Sequence, residues 1–548
     1  MCLIPNDTMQ KQLTPIQVAE AIRQKFSVST PVFFAADTES IKIELKPYLQ
    51  PFERELAMRE LRALLNTGDL INEEHGYRLV RTIKTEIFFR ERLTYWQRVG
   101  RLYLEPSVQT ALEFTQNGLT SIQGKNGLHN ARRLRYGPHD LHEYRGKFFP
   151  QLVRSLINIS GIADGDLVLD PMSGSGTTPC EALASGRSTI GADLNPLSVL
   201  ISLVKAGVVL EDPSFFFKTV SGYLKRFKYK SASPNDIWTE VDLTYLSRWF
   251  DAAAVRDLAA ILGEIKIIRE PFYYDFFRVC LSNIIRSISW QKDTDLRVRK
   301  EIKSYEPGTA IVQFNDEVKK QIEKIYPYLC VLPQPGAALK LTIRQGNAVN
   351  VVGLFPEYRG KANLLITSPP YATALPYLDT DRLSLIVLGL LPRQQHRDAE
   401  TIMVGTREIS ERQRREVWER YLGRKHELPK KVASLITQIA EYNHGDHVGF
   451  RRRNLPALLG KYFIDMFDAM RSAHALMAAG AHGYYVVGNN STIVNGQKIE
   501  IPTDKFLFEI GKAAGWKQDE MIPMELLISR DIFKENRGSS ETILCFSA

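Results

Sequence analysis

From Leu167 onward, short apolar runs alternate with longer stretches of helical pattern. Leu167-Val168-Leu169-Asp170 reads as a short strand, followed by a Gly-rich turn and a helix over 179–184. Thr189-Ile190-Gly191-Ala192-Asp193 reads as a second strand. Residues 198–335 are mostly helical in pattern, with Trp249-Phe250 and Phe272-Tyr273-Tyr274 as core aromatics. Strands return at 341–344 and 364–367, and the tail gives a strand at 483–488, a helix at 503–514 and a strand at 542–546. Lys461-Tyr462-Phe463-Ile464-Asp465-Met466 reads as part of a helix packed on the sheet. Strands alternating with helices predict an α/β fold built on a doubly wound sheet.

The first 112 residues follow a different rhythm. Thr14-Pro15-Ile16 opens a capped helix with proline at its first position. A second helix is expected over about 51–65, and Asp69-Leu70-Ile71-Asn72 and Tyr77-Arg78-Leu79-Val80 flank a turn at Gly76. Helix, helix and hairpin is the order of a winged helix, and equally of unrelated small domains. A Gly-, Asn- and Gln-rich stretch from Thr115 to Gly127 reads as a linker. The implied division is a small domain at 1–112, a linker at 113–138, and an α/β core at 139–197, 340–392 and 462–548. A helical insertion at 198–339 and a basic segment at 393–461 interrupt that core.

Composition narrows the class. At 548 residues the chain is too long for one core. No apolar run reaches the roughly 18 residues of a membrane span, and Met1-Cys2-Leu3-Ile4-Pro5 lacks the basic start of a secretory signal. The cysteines (Cys2, Cys180, Cys280, Cys330, Cys545) are scattered without a CxxC pair, so no metal site and no disulfide framework is expected. A reducing, cytoplasmic setting without membrane attachment fits. The net charge of +9 points to a polyanionic partner, and residues 393–461 carry 15 Lys/Arg against 9 Asp/Glu, so much of the excess lies there. Arg412, Arg415, Arg451, Arg452 and Arg453 would neutralise phosphates. The alternative is a solvated helical face of ion pairs, since Glu411, Glu416 and Glu419 are interleaved.

The chemistry-bearing residues cluster at strand ends. Thr367-Ser368-Pro369-Pro370-Tyr371 follows the apolar run Asn363–Ile366. It offers a hydroxyl, carbonyls freed from sheet pairing by the two prolines, and an aromatic plane. That set suits a flat ring bearing an amino group. Upstream, Asp170-Pro171-Met172-Ser173-Gly174-Ser175-Gly176-Thr177-Thr178 turns a strand into a helix, letting a ligand approach its N–H groups. No lysine follows the glycines, against a P-loop, and only half of a dinucleotide fingerprint is present. Asp193 ends the next strand, placed to accept hydrogen bonds from ribose hydroxyls at the switch point of the sheet.

Together these residues resemble the S-adenosylmethionine-dependent DNA methyltransferases that act on exocyclic amino groups. The likeness spans roughly 139–200 and 340–548. Residues 170–178 look like the cofactor motif, Asp193-Leu194-Asn195 like the ribose-binding acid and its neighbours, and Thr367–Tyr371 like the catalytic motif in its (S/T)SPPY form. His142-Glu143-Tyr144-Arg145-Gly146-Lys147-Phe148-Phe149-Pro150 resembles the segment over the methionine end of the cofactor, with Tyr144, Lys147 and Phe148 as its contacts. Leu341–Ala348 resembles the strand end that meets the adenine, with Asn347 where many relatives carry Asp.

The resemblance implies a Rossmann-like methyltransferase sheet, S-adenosyl-L-methionine as cofactor and double-stranded DNA as substrate. A restriction endonuclease or other defence protein would be a partner. The TSPPY form is more similar to the cytosine-N4 group than to the adenine-N6 group, and RNA bases are a further alternative. Ser368 Oγ and the Pro369 carbonyl would accept the two amino hydrogens, Pro370 would stiffen the loop, and Tyr371 would stack on a base turned out of the duplex. Pro179-Cys180 is similar to the nucleophile pair of cytosine carbon-5 enzymes but reads as buried helix. Asp37 with Glu44-Leu45-Lys46 is loosely like a nuclease metal site and reads as a surface strand. Tyr377, Asp379, Asp381 and Arg382 either shape the base pocket or cap a helix with an ion pair.

Overall fold

The computed structural model describes residues 40–548, apart from 66–68, 74–75, 81, 102–103, 116–132, 145–148, 231, 293–298, 335–337, 373–376, 408, 444–447, 495–496 and 526–539. The expected helix at Thr14 and the centre of the expected linker lie outside the described residues, as do Cys2, Asp37, Lys147 and Phe148.

The main body of the chain is a seven-stranded sheet. In chain order its strands are β6 (Leu167–Asp170), β7 (Ser188–Asp193), β8 (Leu341–Gln345), β9 (Ala362–Thr367), β10 (Met477–Gly488), β13 (Lys517–Glu525) and β14 (Ser540–Ser547). Their spatial order is β13-β14-β10-β9-β6-β7-β8. The five strands β8, β7, β6, β9 and β10 are parallel, and β14 runs antiparallel to both β10 and β13. The order reverses between β6 and β9, so a crevice opens beyond their C-terminal ends. This is the doubly wound α/β sheet of a methyltransferase fold, with a reversed hairpin at one edge.

Alternation along the strands shows both faces covered. Val168, Leu364, Ile366, Tyr484, Val486, Ile543 and Cys545 point to one core. Leu169, Leu365, Tyr485, Val487, Leu544 and Phe546 point to the other. The first face carries α4 (Pro150–Ser160), α5 (Thr177–Ala184) and α6 (Pro196–Val208). The second carries α16 (Phe450–His474) and α17 (Thr503–Ala513). Proline at the first position starts α4, and Gly161 in the left-handed region ends it.

The helical insertion consists of α7 (Pro213–Arg226), α8 (Glu240–Leu246), α9 (Ala252–Ile265), α10 (Pro271–Ile288) and α11 (Thr309–Val331). They share one core with α6, in which Phe250 and Tyr273 are buried and Trp249, Phe272 and Tyr274 pack from the edge. The chain from the catalytic loop onward adds α12 (Arg382–Val387), α13 (His396–Ile402), α14 (Glu411–Arg424) and α15 (Lys430–Tyr442). Helix α16 runs straight through residue 461, so the basic segment has no boundary there; its apolar face packs on the sheet continuously.

The N-terminal unit departs from a winged helix. Its hairpin, β2 (Asp69–Glu73) and β3 (Gly76–Val80), belongs to a five-stranded antiparallel sheet. The other strands are β1 (Ile41–Leu45), β4 (Trp96–Gly100) and β5 (Glu105–Pro106), in the order β2-β3-β1-β4-β5. The segment expected as a surface strand is β1, which lies at the centre with Ile41 and Ile43 fully buried. Helix α1 (Pro51–Leu65) buries Phe52, Leu56 and Leu61 in the core shared with Leu152 and Leu156 of α4. Between β3 and β4 lies α2 (Glu86–Arg92), and α3 (Val108–Phe114) follows β5. Lys46 and Glu113 form a buried ion pair at 2.7 Å, and Glu113 also accepts from Gln109 and from Gln151 of α4. The flanks of the expected linker are therefore structured: α3 runs to Phe114, and Tyr136 is fully buried.

Among the elements that escaped the sequence reading are an edge strand and a hairpin. Strand β13 is polar and contains Pro523, which only an edge strand tolerates. The hairpin of β11 (Asn490–Val494) and β12 (Gln497–Ile501) carried a usable signal in Asn495-Gly496.

Candidate active site

The crevice at the switch point holds a cavity lined from five places in the chain. Tyr144 precedes α4. Pro171, Met172, Ser173, Gly174, Ser175 and Thr177 come from the turn after β6, and Asp193, Leu194 and Asn195 from the end of β7. Asn347 and Ala348 follow β8, Ser368 and Pro370 follow β9, and Met403 and Val404 follow α13.

The turn is shaped by its glycines. Gly174 and Gly176 have φ of +49° and +79°. A Cβ on Gly176 would stand 2.6 Å from Ser202 Cα in α6, so this glycine also permits the helix to approach. One on Gly174 would meet the Tyr144 ring at 3.3 Å, and the Tyr144 hydroxyl is held by Ser198 Oγ at 3.1 Å. The Ser173 N–H donates to the Ala192 carbonyl at 2.9 Å, fastening the turn to β7. Behind it, the buried Lys205 donates to Ser175 Oγ at 3.0 Å.

Asp193 accepts from the Gly174 N–H through one oxygen and from the Asn195 N–H through the other, both at 2.8 Å. Burial nevertheless pushes its carboxyl up to about 6. Asp170 accepts from Thr367 Oγ1 at 2.7 Å and from the Met172 N–H at 3.1 Å through one oxygen. Its other oxygen has no hydrogen-bond partner, and burial pushes this carboxyl up to about 7. Asp170, Gly176, Thr178 and Thr367 do not line the cavity. They hold it: Thr367 ties the end of β9 to that of β6, and Thr178 Oγ1 donates to the Ile366 carbonyl at 3.2 Å.

Asn347 caps a short helical turn by accepting from the Val349 N–H, and its amide donates to the Ile402 carbonyl at 2.8 Å. Lys461 donates to the Met403 carbonyl at 2.8 Å. These bonds explain why Met403 and Val404, two apolar residues inside a charged stretch, form a wall of the cavity. Sequence reading missed both, along with Met172; the only local signal was the apolar pair itself.

The segment Thr367–Tyr371 divides. Ser368 and Pro370 line the cavity; Pro369 and Tyr371 do not. The Tyr371 ring lies over Gly488, and its hydroxyl donates to Glu541 of β14. Asp381 accepts from Asn195 at 2.7 Å, whereas Asp379 pairs with Arg382 at 3.1 Å and Arg382 stacks on Tyr245 and Trp249. Cys180 is fully buried against His139, its thiol pushed up by burial, which disqualifies it as a nucleophile. No group of side chains that could hold a metal ion exists among the described residues.

The basic segment is self-paired in part. Arg412 pairs with Glu416, Arg414 with Glu411, and Arg424 with both Glu427 and Asp468. Arg415, Arg451 and Arg452 are exposed and Arg453 is half-buried. None of these residues lines the cavity.

The cavity fits a cationic nucleoside cofactor. An unpaired oxygen of Asp170 and the unpaired hydroxyl of Ser173 lie buried at the turn. Asp193 stands at the next strand end, and Ala348, Met403 and Val404 supply an apolar wall for a heterocycle. A DNA methylase family profile, N6_N4_Mtase, matches residues 42–202. The match begins in β1, so the N-terminal sheet lies inside the region of likeness. The type II methyltransferase M.MvaI of Kocuria varians is 23% identical over 396 residues, 68% of this chain and 81% of that protein. The chain is an S-adenosylmethionine-dependent methyltransferase. The type II methyltransferase M.BsoBI of Geobacillus stearothermophilus is 25% identical over 280 residues, 46% of this chain and 53% of its own length. Among solved structures, TrmN from Thermus thermophilus aligns over 93% of this chain and 99% of that one, at 9% identity and a TM-score of 0.30. The fold of the methyltransferase described here follows from its strand order.

Proposed function

We propose that the chain is a site-specific DNA methyltransferase acting on the exocyclic N4 of cytosine, in a base turned out of the duplex, within a restriction–modification or genome-defence setting. The observation that supports this most is a shared wall. Ser368 and Pro370 line the same cavity as the glycine turn and Asp193.

S-adenosylmethionine supplies an electrophilic methyl group when bound. Asp193 would accept hydrogen bonds from the ribose, the Asp170 carboxylate would offset positive charge near the turn, and Met403, Val404 and Ala348 would hold the adenine. Tyr144 packs beside Gly174 of the turn. An aromatic amino group is a weak nucleophile because its lone pair is delocalised into the ring. Ser368 Oγ and the Pro369 carbonyl accept its two hydrogens, favouring a pyramidal nitrogen with an available lone pair. Rate then comes from positioning and preorganised acceptors. Ser368 is too weak a base near neutral pH to take the proton early, so the proton leaves after transfer, to water.

One observation favours adenine N6 as a second reading: the matching profile spans both the N6 and the N4 methylases. The TSPPY form favours cytosine. Purified chain incubated with methyl-labelled S-adenosylmethionine should label duplex DNA and not RNA, and Ser368→Ala should reduce the transfer rate at least about 100-fold. Labelling of RNA alone, or full activity of Ser368→Ala, would refute the reading.

A further inference from the structure

A second cavity adjoins the first, and Tyr144 lines both. Helix α10 and the residues after it supply Ser282, Asn283, Arg286 and Gln291; the return chain from the catalytic loop supplies Thr380, Asp381 and Ser384. Unlike the cofactor cavity, this chamber is walled mainly by hydrogen-bonding groups. Asp381 joins the two physically, since it accepts from Asn195 of the cofactor cavity.

Gln291 is the informative residue. It is only 4% exposed. Its backbone is pinned by a β-bridge to Lys300, and its N–H donates to Ser289 Oγ at 3.2 Å. Its carboxamide, facing the chamber, makes no hydrogen bond to a described residue. The amide is therefore available to a ligand that enters the chamber.

We propose that this chamber, built by the helical insertion, binds the substrate nucleotide by its ring edge and that Gln291 reads that edge. The inference rests on the DNA amino-methyltransferase reading above. It follows from what an amino-bearing base has left to offer. Once its amino hydrogens are given to Ser368 and Pro369, cytosine presents only acceptors, ring N3 and O2, and adenine likewise presents only ring nitrogens. The chamber answers with donors: the Gln291 amide, the Arg286 guanidinium and the Ser384 hydroxyl all line it. A free carboxylate, as at the amino-acid end of the cofactor, would meet Glu143 and Asp381 as well as Arg286 in the same wall, two like charges against one opposite. The reading of the base is thereby assigned to the insertion, which leaves phosphate contact to other surfaces.

The test uses full-length chain, Gln291→Leu and Gln291→Asn, with plasmid DNA from a methylation-deficient host and labelled S-adenosylmethionine. Gln291→Leu should lower kcat/KM for DNA about tenfold or more. Cofactor affinity by calorimetry should stay within about twofold, and the thermal midpoint should not fall, because no protein partner is lost. Gln291→Asn should restore part of the activity. Unchanged kcat/KM in Gln291→Leu would overturn the inference alone. Lost cofactor affinity would also overturn it, giving the chamber to the cofactor. A wild-type chain inactive on DNA would remove both the inference and the functional reading beneath it.

Discussion

At the residue scale, the account turns on two buried carboxyls. In the free protein burial holds Asp170 near 7 and Asp193 near 6, above the ordinary aspartate value. A cationic ligand and its ribose hydroxyls favour the ionised forms, so binding releases protons. Affinity for S-adenosylmethionine should therefore rise from pH 5.5 to 7.5 and then level off, as followed by calorimetry in two buffers of different ionisation heat. A flat profile would contradict the roles given to both acids. Asp170 has a second consequence. A carboxyl raised above its unfolded value stabilises the fold below the unfolded pKa, and that contribution is lost as pH rises through about 7. Asp170→Asn should thus leave the free protein at least as stable as wild type at pH 8, perturbing it by no more than about 1 kcal/mol, while weakening cofactor binding. A large loss of stability would show that the carboxylate is structural.

At the element scale, the turn after β6 and the N-terminal sheet carry separate predictions. Gly176→Ala forces a side chain into a left-handed conformation and against the backbone of α6. It should destabilise the protein by roughly 1–3 kcal/mol and weaken cofactor binding. Lys46→Met strands Glu113 in the core and should cost about 3–5 kcal/mol by chemical denaturation. A two-step transition in which only the N-terminal sheet melts early would instead show that unit to be separable, against the core it shares with α4. Strands β6, β7, β9 and the helices of the insertion were legible because their apolar runs are local and bounded. Strand β13 was not, since an edge strand needs no continuous apolar run, and Pro523 argued against a strand. The centrality of β1 was hidden because Lys42, Glu44 and Lys46 dominate its appearance, while Lys46 is neutralised by a residue 67 positions away.

At the scale of the whole molecule, one cavity gathers residues from Tyr144 to Val404, and sequence order gives little warning of that. The motif residues were readable one by one. Met403 and Val404 were not, because the bonds that press them into place come from Asn347 and Lys461, distant in the chain. In the segment richest in arginine, Arg412, Arg414 and Arg424 pair with carboxylates of the segment itself, and exposed pairs of that kind contribute little. Arg412→Ala, whose partner is Glu416, should accordingly change stability by less than about 1 kcal/mol. Arg415 and Arg452, both exposed, are the better probes of phosphate contact. Replacing both with Ala should weaken DNA binding and flatten its salt dependence by about two ions.

The most direct test of the central claim is nucleoside mass spectrometry on DNA from a methylation-deficient host expressing the wild-type chain or Ser368→Ala. The account predicts N4-methylcytosine with the wild type and none with the variant. N6-methyladenine instead would contradict the choice of base, and either mark appearing undiminished with Ser368→Ala would contradict the mechanism.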